Sequence, residues 1–132
     1  MSQAKAKTAS VRNGSQDYLS RTYWNGTIKM SLSKFFILCV LHRRPMHGYD
    51  IARMIEVRSK GALAFHAASM YPLLYRLERR GLIKGRWVEK AGERRRRLYR
   101  ITAKGRDVLA AQRSGWREFV EAVNRVTAGS HA

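Results

Sequence analysis

Hydrophobic positions change their period along this chain, and each change marks an element. Phe35 to Leu41 is apolar at every position, as in an element surrounded on all sides. A buried strand reads the same way. Ser31 or Ser33 as an N-cap, and the helical patterns downstream, favour a helix ending near His42. Arg43-Arg44-Pro45 stops it, because the residue before proline avoids the helical region. Ile51, Met54 and Ile55 form an i, i+3, i+4 stripe and predict a second helix over about His47–Val57, broken by Ser59-Lys60-Gly61. Ala64-Phe65 reads as a short extended piece. Met70, Leu73, Leu74 and Leu77 line one face of a third helix over about Ala67–Arg80. Pro72 is placed near its first turn, where a missing N–H is tolerated. Arg79-Arg80 followed by Gly81 is a C-terminal stop.

Beyond Gly81 the period shortens. Leu82–Glu89 and Arg95–Thr102 carry β-branched and aromatic residues and flank Lys90-Ala91-Gly92-Glu93, a hairpin signal. Thr102 then N-caps a last helix running to about Thr127. Along it Leu109, Gln112, Trp116, Phe119, Val123 and Val126 alternate at spacings of three and four, the pattern of a helix-on-helix seam. The resulting fold class is mostly α with a small β-hairpin: a winged helix-turn-helix with an N-terminal helix and a long C-terminal dimerisation helix. The expected division is a disordered basic arm over 1–15, a helical extension over 16–28 (Tyr18, Leu19, Tyr23, Trp24), a winged-helix domain over 29–102, a dimerisation helix over 103–127 and a tail over 128–132.

Charge supplies the partner. Among 132 residues, 27 Lys and Arg face 9 Asp and Glu, a formal net charge of +18. Such a chain repels itself unless a polyanion neutralises it, with nucleic acid the first candidate and an anionic membrane surface the second. The longest apolar run is far short of the roughly 20 residues needed to span a bilayer. Met1–Lys5 begins no apolar export signal, and the one cysteine, Cys39, permits no internal disulfide, so a cytoplasmic protein is expected.

In a winged helix the third helix enters the major groove and the hairpin rests on neighbouring backbone or minor groove. Opposite the Met70/Leu74/Leu77 stripe lie Ser69, Tyr71, Tyr75, Arg76 and Arg79, with His66 at the helix start. These are the candidate duplex contacts, through phosphate oxygens or base edges. The two tyrosines also fit aromatics packing at a domain rim. Lys90 and Arg94-Arg95-Arg96-Arg97 form the sharpest electrostatic feature, suited to a narrow, electronegative groove. A solvated edge strand that discourages aggregation is the other reading. The last helix's stripe covers about five turns, more than a small domain needs for its own core. It therefore reads as a dimer seam, with Gln112 fixing register. A dimer places two third helices about 34 Å apart and implies a palindromic site.

The stretch from Lys29 to about Val126 resembles the PadR-like family of winged-helix regulators. Pro45-Met46-His47-Gly48-Tyr49-Asp50-Ile51 is similar to the family's opening of the second helix. Met70-Tyr71-Pro72-Leu73-Leu74-Tyr75-Arg76-Leu77-Glu78-Arg79-Arg80-Gly81-Leu82-Ile83 is similar to its recognition-helix signature. Arg97-Leu98-Tyr99-Arg100-Ile101-Thr102 and Thr102-Ala103-Lys104-Gly105 resemble its second wing strand and the start of its dimerisation helix. The resemblance implies DNA binding through the third helix and wing, dimerisation through the last helix, and recruitment of the Tyr18–Trp24 segment to that interface. It also allows a small-molecule effector at the dimer interface, near Trp24 and Trp116. The chain departs at His66-Ala67-Ala68-Ser69, where the family often has Ser-x-Gly-Thr.

Other classes have less support. The acidic residues form no paired constellation, the glycines lie singly, and His42 and His47 lack metal-ligand spacing, so no enzyme, cofactor or metal is expected. Cys39, inside the most apolar helix, reads as inert. The alternative to a specific regulator, a dimeric repressor in the family's pattern, is a nonspecific basic nucleic-acid-binding protein in which charge alone acts.

Overall fold

The computed structural model describes residues 32–128. The expected arm and helical extension, with Tyr18 and Trp24, lie outside them. The chain divides into two units, Met1–Ser33 and Lys34–Ala132. The first described helix, α1, covers residues 32–41. All of it beyond Ser33, and every later element, belongs to the second unit. After α1 come β1 (Met46–His47), α2 (Gly48–Arg58), α3 (Ala67–Arg79), β2 (Ile83–Val88), β3 (Arg96–Ile101) and α4 (Ala103–Thr127). Ser33 lies inside α1, not at its N-cap.

The strands form an antiparallel sheet in the order β1-β3-β2. Ile83 pairs with Ile101, Gly85 with Tyr99 and Trp87 with Arg97, so these six side-chain positions share one face. β1 has no counterpart in the hydrophobic pattern. It exists because Met46 and His47 lie against Tyr99 and Leu98, and His47 Nδ1 donates to the Arg97 carbonyl at 3.0 Å.

The core collects the inner faces of the four described helices. Ile37, Leu38 and Leu41 of α1, Ile51 and Ile55 of α2, and Met70, Leu74 and Leu77 of α3 close over Ile83, Ile101 and Leu109. Leu109, expected on the dimer seam, is 1% exposed within its own chain. The first turns of α4 are thus part of the winged-helix core, and the seam pattern began one position too early.

Local chemistry ends and starts the elements near the wing. At the end of α3, Gly81 adopts φ 76° while its N–H bonds the Glu78 carbonyl and the Leu82 N–H bonds the Leu77 carbonyl, the Schellman arrangement. Pro72 is the sixth residue of α3, beyond the first turn, and removes the N–H that the Ala68 carbonyl would accept. Thr102 caps α4 as expected: its Oγ1 accepts from the Gly105 N–H at 3.0 Å and donates to the Gly81 carbonyl at 2.6 Å. The Thr102 N–H bonds the Leu82 carbonyl, and Lys104 Nζ donates to the Arg80 carbonyl at 3.0 Å. The start of α4 is therefore clamped to the α3–β2 connection.

Gly105 makes that clamp possible. A Cβ there would collide with the Leu82 carbonyl oxygen and sit 2.7 Å from Ile101 Cγ1. Gly105→Ala should therefore destabilise the protein by about 1–3 kcal/mol. Gly115→Ala, in the same helix but with nothing within 4 Å of the added carbon, should stabilise it by about 0.5–1 kcal/mol. Urea denaturation of the two variants checks the contrast.

Candidate nucleic-acid interface

Burial of one face of α3 decides what its other face offers. Tyr71 is 50% exposed and Tyr75 62%, and Ser69, Arg76 and Arg79 are exposed beside them. The Arg79 guanidinium lies over the Tyr75 ring at 5.6 Å, within the range of a cation–π contact. His66 is the N-cap residue, and its backbone carbonyl accepts from the Ser69 and Met70 N–H groups while its side chain makes no capping bond. Tyr71 leans on the start of α2: a Cβ on Gly48 would be 2.9 Å from its Cε1. The absence of a side chain at Gly48 seats that ring.

Between the start of α2, Tyr71 and the wing is a cleft of about 600 Å³. Arg94, Arg95, Arg96 and Arg97 line it together with His47, Tyr49, Trp87 and Tyr99. Tyr71 and the arginine run, candidates from separate elements, thus face one space. Ser69, Tyr75, Arg76 and Arg79 continue the exposed α3 surface outside the cleft lining, and His66 and Lys90 lie at the ends of that surface and of the wing.

The four arginines are not equivalent. Arg95 pairs with Glu89 at 3.1 Å and Arg96 with Asp50 at 3.9 Å, and Lys90 pairs with Glu93 at 3.9 Å, all with well-exposed side chains. Pairs of this kind contribute about 0–1 kcal/mol and exchange readily for phosphate. Arg97 differs. Its Nη2 donates to Glu78 Oε2 at 2.6 Å, and both side chains are only 27% exposed. Arg97 is thus turned toward α3 and held by Glu78, a correction to its place among the expected duplex contacts. Tyr99, buried beside it, has its phenol pKa raised by desolvation, against the lowering effect of the Arg97 charge.

Sequence reasoning passed over Trp87, Tyr49 and His47 as site residues. Trp87 is 54% exposed at the cleft, with the Arg95 and Arg97 guanidinium groups over its ring at 4.6 and 5.3 Å. A hairpin register counted from its loop would have paired Trp87 with Arg97 and drawn attention to it.

On α4, Trp116, Phe119, Val123 and Val126 are exposed large hydrophobics. Trp116 touches Phe35 of α1 (6.4 Å between centroids) and Phe119 (6.0 Å). Among the described residues, the Gln112 Oε1 is a buried side-chain oxygen without a hydrogen-bond partner. Cys39 borders a separate cleft of about 320 Å³ with Phe36, Leu63 and Arg113. Burial pushes its thiol pKa up, opposed by the charge and hydrogen bond of Arg113 and by Arg58. Among the described residues no helix is long and apolar enough to cross a membrane, and no group of three or more His, Cys, Asp or Glu could hold a metal ion.

Helices packed behind a recognition helix, with a hairpin wing closing a basic cleft against it, define a winged-helix DNA-binding transcriptional regulator. The chain belongs to the transcriptional regulator PadR-like family, which it matches over residues 37–111. Its fold is similar to that of a PadR-family transcriptional regulator from Eggerthella lenta (25% identity, TM-score 0.70, covering 80% of this chain and 89% of that one). It is also similar to a PadR-family regulator from Clostridium difficile (27%, TM-score 0.63, covering 72% and 97%). The fold of Bacillus subtilis PadR, solved in complex with operator DNA, is similar too (24%, TM-score 0.58, covering 63% and 47%).

The geometry separates the arginines by experiment. Replacing Arg94, Arg95 and Arg96 by Ala should lower the salt slope of duplex binding by about 1 for each phosphate no longer neutralised. Arg97→Ala should instead chiefly lower stability, by about 1–3 kcal/mol, through the unpaired Glu78 carboxylate. Titrations across salt concentrations and urea melts distinguish the two. With its pKa raised, Cys39 carries less thiolate than a free thiol at the same pH. Its alkylation by iodoacetamide at pH 8 should therefore be several-fold slower than that of a small thiol and should accelerate as pH rises past 9.

Proposed function

We propose that the protein binds a specific palindromic duplex as a homodimer and represses transcription from it. The observation that carries this reading is the shared cleft: Tyr71 of α3 and Arg94–Arg97 of the wing line one space. A duplex with its major groove on α3 brings its neighbouring backbone to the wing. The solution of Bacillus subtilis PadR with operator DNA, on a similar fold, supports it.

The α4 surface supports the dimer. Trp116, Phe119, Val123 and Val126 recur at spacings of three, four and three and stay exposed along one stripe, an apolar seam whose outer half has no core beneath it among the described residues. Among the described residues, the Gln112 Oε1 beside it is an acceptor buried within its own chain and without a partner. Left unmet, such an acceptor costs about 1–3 kcal/mol.

Selection of bound duplexes from a random pool, followed by competition against nonspecific DNA at physiological salt, tests the reading. A palindrome preferred by about 10³ or more is expected. Binding without preference and with a steep salt slope would instead make the protein a nonspecific coat. Phe119→Glu should convert dimers to monomers in sedimentation velocity and weaken palindrome binding more than half-site binding. A dimer unaffected by that charge would remove α4 from the interface.

A further inference from the structure

One carboxylate oxygen ties the recognition helix to both strands of the wing. Glu78, in the last turn of α3, accepts at Oε2 from Arg97 Nη2 of β3 (2.6 Å) and from the Gly85 N–H of β2 (3.2 Å). The site is sheltered, and charge-assisted bonds of this length are among the stronger ones. Gly85 makes room for it: a Cβ there would stand 2.6 Å from Arg97 Nε and 3.0 Å from its Cζ.

From Arg97 the contacts run outward toward the duplex cleft. Its guanidinium lies over Tyr99 at 5.9 Å and Trp87 at 5.3 Å, and Arg95 covers Trp87 at 4.6 Å. The sheet face that is hydrophobic core at Ile83 and Ile101 becomes, at Trp87 and Arg97, a stack of rings and cations. Trp87 is half exposed at the outer part of the hairpin, so little besides that stack holds it.

We propose that Glu78 is a positioning residue for duplex recognition: through Arg97 it sets Trp87 and Arg95 at a fixed height and angle to the exposed face of α3. The inference rests on the cleft's being the duplex site. It assigns Glu78 a role opposite to that of an ordinary carboxylate near a polyanion. Its charge repels phosphate, yet removing it costs recognition, because the wing loses its alignment with the helix. Nonspecific binding depends on total charge and tolerates a misaligned wing. Specific binding needs both elements in register.

The quenching arm uses the full-length chain with Trp24→Phe and Trp116→Phe, which leaves Trp87 as the sole tryptophan, while affinities are read with both tryptophans in place. Into both backgrounds are placed Glu78→Gln, which keeps an acceptor but removes the charge, and separately Arg97→Lys, which keeps the charge but neither forks nor stacks as a guanidinium does. Acrylamide quenching of Trp87 is read on free protein. Affinity is read on the selected palindrome and on random duplex. Glu78→Gln should increase quenching, weaken palindrome binding by roughly tenfold and leave random-duplex affinity equal or higher, so that the selectivity ratio falls. Arg97→Lys should increase quenching and weaken palindrome binding likewise. If Glu78→Gln does not fold, Arg97→Lys carries the test. Unchanged quenching, or selectivity retained with Trp87 freed, overturns the proposal, as does an equal loss of both affinities, which marks a merely structural role. If the parent protein prefers no duplex while quenching still responds, the clamp stands and the DNA reading fails.

Discussion

The structure depends on the burial of one face of α3. Met70, Leu74 and Leu77 are wholly enclosed by α1, α2 and the sheet, and a helix with one face held that way cannot rotate. Successive residues advance by about 100° around the axis, so Tyr71, Tyr75, Arg76 and Arg79 must emerge on the far side. The apolar stripe thus specifies the exposed surface by exclusion. The 13 residues of α3 do not form this surface by propensity alone, since Pro72 interrupts its backbone bonding. Packing holds the helix together and aims it.

A second constraint fixes where the wing begins. The Leu82 carbonyl accepts from the Thr102 N–H and is closely approached by Gly105. The end of α3, the first residue of the hairpin and the start of α4 therefore meet at one point. A displacement of α4 would be felt there first, next to the recognition helix. This junction joins the C-terminal helix to the end of α3.

Electrostatics is distributed unevenly over the chain. Few carboxylates accompany the many cations, yet Asp50, Glu78 and Glu89 each meet an arginine of the wing. Asp50 and Glu89 make long or exposed pairs of little worth. Glu78 makes a sheltered one. Identical residue types in one run therefore do different things: Arg95 and Arg96 remain available to an external anion, while Arg97 belongs to the framework that presents them.

Within residues 32–128 the helices, the hairpin, the Thr102 cap and the Gly81 stop were legible in the sequence, as was the sign of the partner. Each depends on residues within a few positions of one another, or on composition, and so needs no knowledge of the fold. What only tertiary structure decided involves groups far apart along the chain. β1 pairs through contacts about 50 residues distant, as with His47 and Arg97. The inward turn of Arg97 is set by Glu78, 19 residues earlier. Leu109 belongs to the core because the Gly105 clamp presses the first turns of α4 onto the sheet. Periodicity shows which face of an element is apolar, but a stripe has no label for its neighbour. Only packing shows what it meets.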